Sequence, residues 1–349
     1  MDYTFKKPTL ESYNILFKVQ NKLEDPSVLQ EYLETNSMTG LHREYINSGI
    51  LPHKDIPIPP EIDFNTFSEE DLLKLSIKYS SEVEYELFNR TTRRLMEYNK
   101  SLSVRFDIYT AQIRMLILLQ WQSELDKKFT EIESLLELGV DWARKNKFKV
   151  YFGLYLILQY KFKESSKLLI DALSTFESDE LITFSDLVKF SLFSGLISIP
   201  REEIKNLSES DINNHIIKVP GALDLLLSLY NCNYTDIFKH IYVFSKELQY
   251  NPYLYDKLDY FIYRVKLRVY KQIFNSYNSI TVYQISKILN VSEGYIIRDI
   301  EVMIIKKDLL CKINHNTMMV YKVIREGHDS IIYTAEDILH TVQKEISNE

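Results

Sequence analysis

Thr281-Val282-Tyr283-Gln284-Ile285-Ser286-Lys287-Ile288-Leu289-Asn290-Val291-Ser292-Glu293, with Leu309-Leu310-Cys311-Lys312-Ile313 and Met318-Met319-Val320-Tyr321-Lys322-Val323 downstream, is the part of the chain that decides the fold. Thr281 and Gln284 stand three apart, the spacing of a capping box, and open a short helix over 282–289. Asn290-Val291 makes the turn. Ser292 caps a second helix over 293–306 whose inner face is Ile296, Ile297, Ile300 and Ile304. Segments 309–313 and 318–323 are β-type, joined by the tight turn Asn314-His315-Asn316. Helix, turn, helix and hairpin in that order spell a winged helix over residues 278–324.

Upstream, the hydrophobic period is helical almost throughout. Ser68 can cap a helix with Glu69, Glu70 and Asp71 in its first turn, and Leu72, Leu75, Tyr79 and Val83 form its stripe. Residues 105–122, 124–143, 150–160 and 164–176 keep helical spacing. Residues 151–176 read as one tetratricopeptide-type hairpin, in which small residues let two helices approach closely. Ile199-Pro200-Arg201 interrupts the array, 202–214 is polar and reads as a surface loop with short helices, and Val219-Pro220-Gly221 restarts it. A long helix is expected over 253–277. Residues 1–60 read as a loosely structured segment, with short helices at 5–19 and 27–33 and an extended linker carrying Pro52, Pro57, Pro59 and Pro60. After the winged helix, Ala335, Ile338, Leu339, Val342 and Ile346 form one apolar stripe on a helix over 334–346. Such a stripe either folds back on its own module or joins helices of other subunits. The fold class is therefore mostly α: a tetratricopeptide-like helical-repeat array over 61–277, a winged helix over 278–324 and a C-terminal tail over 325–349.

Composition narrows the function. Hydrophobic residues make up 45% and charged residues 26%, as in an ordinary soluble globular protein. The net charge of −7 argues against a general phosphate-backbone binder. The second helix of the wing module sets Arg298, Lys306 and Lys307 against Glu293, Asp299, Glu301 and Asp308, so nucleic acid is not its expected partner. No apolar run approaches the roughly 20 residues of a membrane span, and the N-terminus carries no apolar signal core. Nucleotide-binding glycine loops, HExxH and GxSxG are missing, and the seven histidines are scattered, so no enzyme activity, metal, cofactor or small-molecule substrate is expected. Arg144, Lys145, Lys147 and Lys149 read as a solvated hairpin edge rather than an anion site. Tyr151, Phe152 and Tyr155 read as core, and Cys232 and Cys311 as buried inert thiols.

Several stretches also carry a resemblance. They are Asp141-Trp142-Ala143-Arg144-Lys145-Asn146-Lys147-Phe148-Lys149-Val150-Tyr151 with Gly153-Leu154-Tyr155, Ser174-Thr175-Phe176 with Glu180-Leu181, Leu229-Tyr230-Asn231-Cys232-Asn233-Tyr234, and Leu309-Leu310-Cys311-Lys312-Ile313-Asn314. Together, over roughly residues 68–323, they resemble the PCI-domain, non-ATPase lid subunits of the proteasome regulatory particle, sisters of signalosome subunit one. The resemblance implies a non-catalytic scaffold supporting ubiquitin-dependent protein degradation. In it, winged helices of neighbouring subunits pair edge to edge and C-terminal helices gather into a bundle. Its implied partners are other PCI and deubiquitinase-type lid subunits and the ATPase ring, in cytoplasm and nucleus. Carried onto this chain, Leu309, Cys311, Ile313, Met318, Val320 and Val323 lie at or beside the pairing surface, and Ala335, Ile338, Leu339, Val342 and Ile346 form the bundle face. The equivalent scaffold of the signalosome or of an initiation-factor complex is the alternative, and a winged-helix nucleic-acid binder a third. The chain departs from the family in its N-terminal part, in the short segment after Val323, and at Lys307, where the family has Gly. A left-handed backbone at Lys307 would cost about 1 kcal/mol.

Overall fold

The computed structural model describes residues 5–60, 64, 67–176, 178–209 and 213–323. Its N-terminal part is more ordered than its sequence promised. Helix α1 (Glu11–Gln20) leads to α2 (Pro26–Thr35), which Asp25 caps by accepting the Ser27 backbone N–H at 2.9 Å. Pro26 sits in the first turn, where a missing N–H removes no helical bond. A third helix, α3 (Thr39–Asn47), was not expected. Three helices this short are marginal alone. They hold because Leu16, Leu29, Leu33 and Leu41 are buried against the rest of the chain.

Ser68 does cap α4 (Glu69–Glu82), accepting the Asp71 N–H at 3.3 Å. Then come α5 (Tyr85–Tyr98) and α6 (Leu102–Leu119), the latter buried on nearly every side as its all-round apolar sequence requires. The helix read over 124–143 is in fact two. Helix α7 (Gln122–Glu137) ends at Leu138, Gly139 takes a φ of 100° that glycine tolerates, and Asp141 accepts the Arg144 N–H to start α8 (Trp142–Leu158). The hairpin of α8 with α9 (Phe162–Ala172) is close-packed, as its small residues promised. A Cβ on Gly153 would stand 2.4 Å from Leu169 Cδ2, and Ser165 Oγ donates to the Gly153 carbonyl at 2.9 Å. Thr183 caps α10 (Phe184–Ser198). The polar stretch holds α11 (Arg201–Glu209) and α12 (Asn213–Ile216), followed by α13 (Ala222–Asn231), α14 (Ile237–Leu248) and α15 (Leu258–Ser276). From α4 to α10 most helices pack on their sequence neighbours, which is the signature of a helical-repeat array.

Contacts divide the described residues into two units. One runs to Leu226 and takes in Val243–Phe261; the other comprises Leu227–Tyr242 and everything from Ile262 onward. The second unit contains the winged helix. Strand β1 (Ser279–Thr281), unforeseen, precedes α16 (Val282–Leu289) and α17 (Glu293–Ile305), and β2 (Cys311–Asn314) and β3 (Met319–Lys322) complete it. The sheet is antiparallel in the order β1-β3-β2, with Ile280 opposite Val320 and Val320 opposite Ile313. Thr281 serves two elements. It ends β1 opposite Met319, and it closes the capping box of α16, where its Oγ1 accepts the Gln284 N–H and its own N–H donates to Gln284 Oε1, both at 3.1 Å. Lys307 has a φ of 60°, so the left-handed residue expected after α17 is there, on a lysine.

Candidate protein-interaction surface

The apolar residues of the winged helix fall into two sets. Ile280, Val282, Ile285, Leu289, Ile296, Ile300 and Met303 close its core, with Ile297 and Ile304 half-buried at its margin. Of the six residues expected at the pairing surface, Leu309, Cys311 and Val320 belong to that same core. Their side chains have almost no surface to offer a partner. Burial also pushes the Cys311 thiol up to about 11, so it stays protonated at neutral pH, as expected of an inert thiol. Cys232 departs from that expectation: it is exposed, because it lies past the end of α13 with a φ of 56°, off that helix's apolar face.

Ile313 and Val323 are half-buried and Met318 is exposed. The winged helix also exposes Leu310 and Tyr321, within the two β segments, and Tyr283, Val302 and Ile305, outside them, the last 79% exposed. Val302 and Ile305 are three apart on α17, off the inner line of Ile296, Ile300 and Met303. Apolar residues outside a helix's inner stripe were the signal available in the sequence.

The backbone of β2 adds to this surface. Strand β2 is an edge of the sheet. The Val323 N–H donates to the Leu310 carbonyl at 2.9 Å, while the Lys322 N–H turns the other way, to the Asn278 carbonyl at 2.8 Å. Antiparallel alternation then directs the Ile313 N–H and C=O away from β3, to the open edge.

Helix α17 is mounted by ion pairs inside its own unit. Lys266 Nζ meets Asp299 at 2.8 Å and lies 4.8 Å from the Tyr295 ring centre. Tyr263 donates to Asp308, and Lys306 sits 4.2 Å over the Tyr263 ring. Glu301 faces His315 of the wing turn at 3.5 Å.

In the other unit the basic run is mostly engaged. Arg144 holds Asp107 and Asp141, Lys147 meets Glu180 at 2.8 Å, and Lys149 pairs with Asp171. Glu180 also accepts from Tyr151 Oη at 2.8 Å. Arg114, completely buried, donates to Tyr151 Oη and to the Phe5 and Pro8 carbonyls, so it clamps the start of the chain to the array. Burial works to raise the Glu180 carboxyl, but Lys147 and Arg114 outweigh it and hold it below its ordinary value. Tyr151 is core, as expected, and Phe152 stacks between Phe148 and Tyr155.

Among the described residues, no group of three or more His, Cys, Asp or Glu side chains could hold a metal ion, and no helix is long and apolar enough to cross a membrane. Ala335, Ile338, Leu339, Val342 and Ile346 lie outside the described residues.

Two family models match the chain in the order of its two parts. The model described as 26S proteasome subunit RPN7 matches residues 70–207, and the PCI domain matches residues 234–322. The 26S proteasome non-ATPase regulatory subunit 6 homolog of Arabidopsis thaliana is 30% identical over 192 residues, 54% of this chain and 50% of its own length. The subunit 6 of Dictyostelium discoideum is 27% identical over 258 residues, 72% of this chain and 68% of its own. The 26S proteasome regulatory subunit RPN7 of Saccharomyces cerevisiae is 27% identical over 220 residues, 61% of this chain and 51% of its own. The chain thus spans about half the length of the plant and yeast relatives it matches.

Proposed function

We propose that the chain is a non-catalytic scaffold subunit of the lid of the 26S proteasome regulatory particle, supporting ubiquitin-dependent protein degradation by holding neighbouring subunits in place. The observation that carries this is the coincidence of order. The RPN7-type match falls on the helical array, and the PCI match falls on the winged helix and the helices before it. The winged helix then offers an open strand edge at Ile313, where a second winged helix can add its own edge, and exposes Met318, Tyr321, Val302 and Ile305 in the same module. Leu309, Cys311 and Val320 serve it from behind, as part of the winged helix's core. In this proposal the stripe Ala335, Ile338, Leu339, Val342 and Ile346 joins a helical bundle with other subunits. The partners are PCI-type and deubiquitinase-type lid subunits and, through them, the ATPase ring, in cytoplasm and nucleus.

The test is native purification of the tagged chain with mass spectrometry of what accompanies it. Lid subunits, ATPases and a zinc isopeptidase in stoichiometric amounts are expected. Cullin-type ligases would move the chain to the sister complex, the signalosome, and translation initiation factors to the third PCI assembly. A monomer that enters no large complex would end the scaffold reading.

A further inference from the structure

Leu51-Pro52-His53-Lys54-Asp55-Ile56-Pro57-Ile58-Pro59-Pro60 crosses the surface with no helix or strand from Pro52 onward. Each proline fixes φ near −65°. Leu51, Ile56, Ile58 and Pro59, which precede prolines, are confined to the β or polyproline II region. The backbone is therefore driven toward a polyproline II helix, which repeats every three residues. Burial keeps that period: Ile56 and Pro59 are half-buried, while Pro57, Ile58 and Pro60 are exposed, Ile58 by 81%. Lys54, Pro57 and Pro60 are spaced by three and form one outward row. One contact holds the strap by its backbone, and one exposed ion pair meets the row at Lys54. Arg43 Nη1 donates to the Pro57 carbonyl at 2.9 Å, and Lys54 Nζ meets Glu34 at 2.8 Å with both side chains nearly half exposed.

We propose that this strap is a docking ligand for an SH3-type domain, independent of the scaffold role of the winged helix. A shallow groove lined by aromatic rings would take Pro57 and Pro60, and a carboxylate at its end would take Lys54. Such grooves favour a segment already in the polyproline II form, because little chain entropy is lost on binding. The cation one period ahead of the first proline gives the strap a direction. The Lys54–Glu34 pair is exposed and of little net worth, so a groove carboxylate can replace Glu34. The carbonyl held by Arg43 and the inward Ile56 and Pro59 keep the row facing outward before any partner arrives.

The experiment titrates the full-length chain against a panel of purified SH3 domains and, separately, purified WW domains. Saturable binding to at least one SH3 domain is expected, weakened about tenfold or more by the double substitution Pro57→Ala with Pro60→Ala. Lys54→Glu, which replaces the exposed Lys54–Glu34 attraction by a repulsion and touches no buried side chain, should weaken binding and invert its salt dependence, so that added salt raises affinity where it lowers that of the wild type. Pro52→Ala, off the row, should leave it unchanged. Circular dichroism checks that each variant keeps its helices. Absence of SH3 binding, binding by WW domains alone, or SH3 binding that survives both the double substitution and Lys54→Glu would overturn the proposal.

Discussion

Glu180 and Arg114 show how much one side chain can hold. Arg114 has no exposure, and Glu180 with Tyr151 is the counterweight that makes its burial tolerable. Glu180→Gln should therefore destabilise the chain by about 3 kcal/mol at pH 7, since it removes one partner of a buried pair. Because the native carboxyl titrates below its ordinary value, its contribution is complete above about pH 4.3 and fades as pH falls through the lower native value. Urea unfolding of wild type and variant at pH 7 and pH 3.5 should show the gap narrowing at the lower pH; a constant gap would mean the charge is not what matters. Gly40 and Val83 form another tight point. Val83 is β-branched yet has a φ of 59°, and a Cβ on Gly40 would come 2.3 Å from its carbonyl oxygen. Gly40→Ala should cost about 3 kcal/mol, because backbone must move to admit it. Lys307→Gly should run the other way, raising stability by about 1 kcal/mol by relieving a left-handed lysine, and calorimetry reads both.

At the scale of elements, β2 and the segment after β3 carry the assembly predictions. Ile313→Pro removes an N–H that faces away from β3, so the ladder to Val320 survives while the open edge loses a donor. The variant should fold, by circular dichroism, yet fail to co-purify with lid subunits. Leu339→Asp should do the same by placing a charge on the apolar stripe proposed to join a bundle; unimpaired assembly would show that the segment docks nothing. How far these elements could be read in advance depended on how much signal each one carries. Helix α16 was legible to the residue, since Thr281 and Gln284 form a bond that their spacing announces. Strand β1 was not, because three residues show no alternation. The break between α7 and α8 was announced by Gly139 and Asp141, but the apolar period ran across them and outweighed the cap. Which residues of the two β segments face outward was only partly legible. Leu309, Cys311 and Val320 look like surface β residues in sequence, and only the packing of α16 and α17 shows which way they turn.

At the scale of the whole molecule, a net charge of −7 sets the long-range field. Duplex DNA should not retain the chain at 0.15 M salt, and lowering the salt should produce no steep gain in binding; a strongly salt-dependent isotherm would return the winged helix to nucleic-acid readers. The division into units limits how such a chain can be cut or inherited. The helix residues Leu227–Tyr242 belong with the winged helix, but Val243–Phe261 returns to the array before the chain goes back for good. A gene break at Asn278, where the wing motif begins, would strand Tyr263 and Lys266, the residues that moor Asp308 and Asp299. No single break yields two self-sufficient cassettes. The array and its winged helix are dovetailed along the sequence, so recombination that swaps one must carry part of the other.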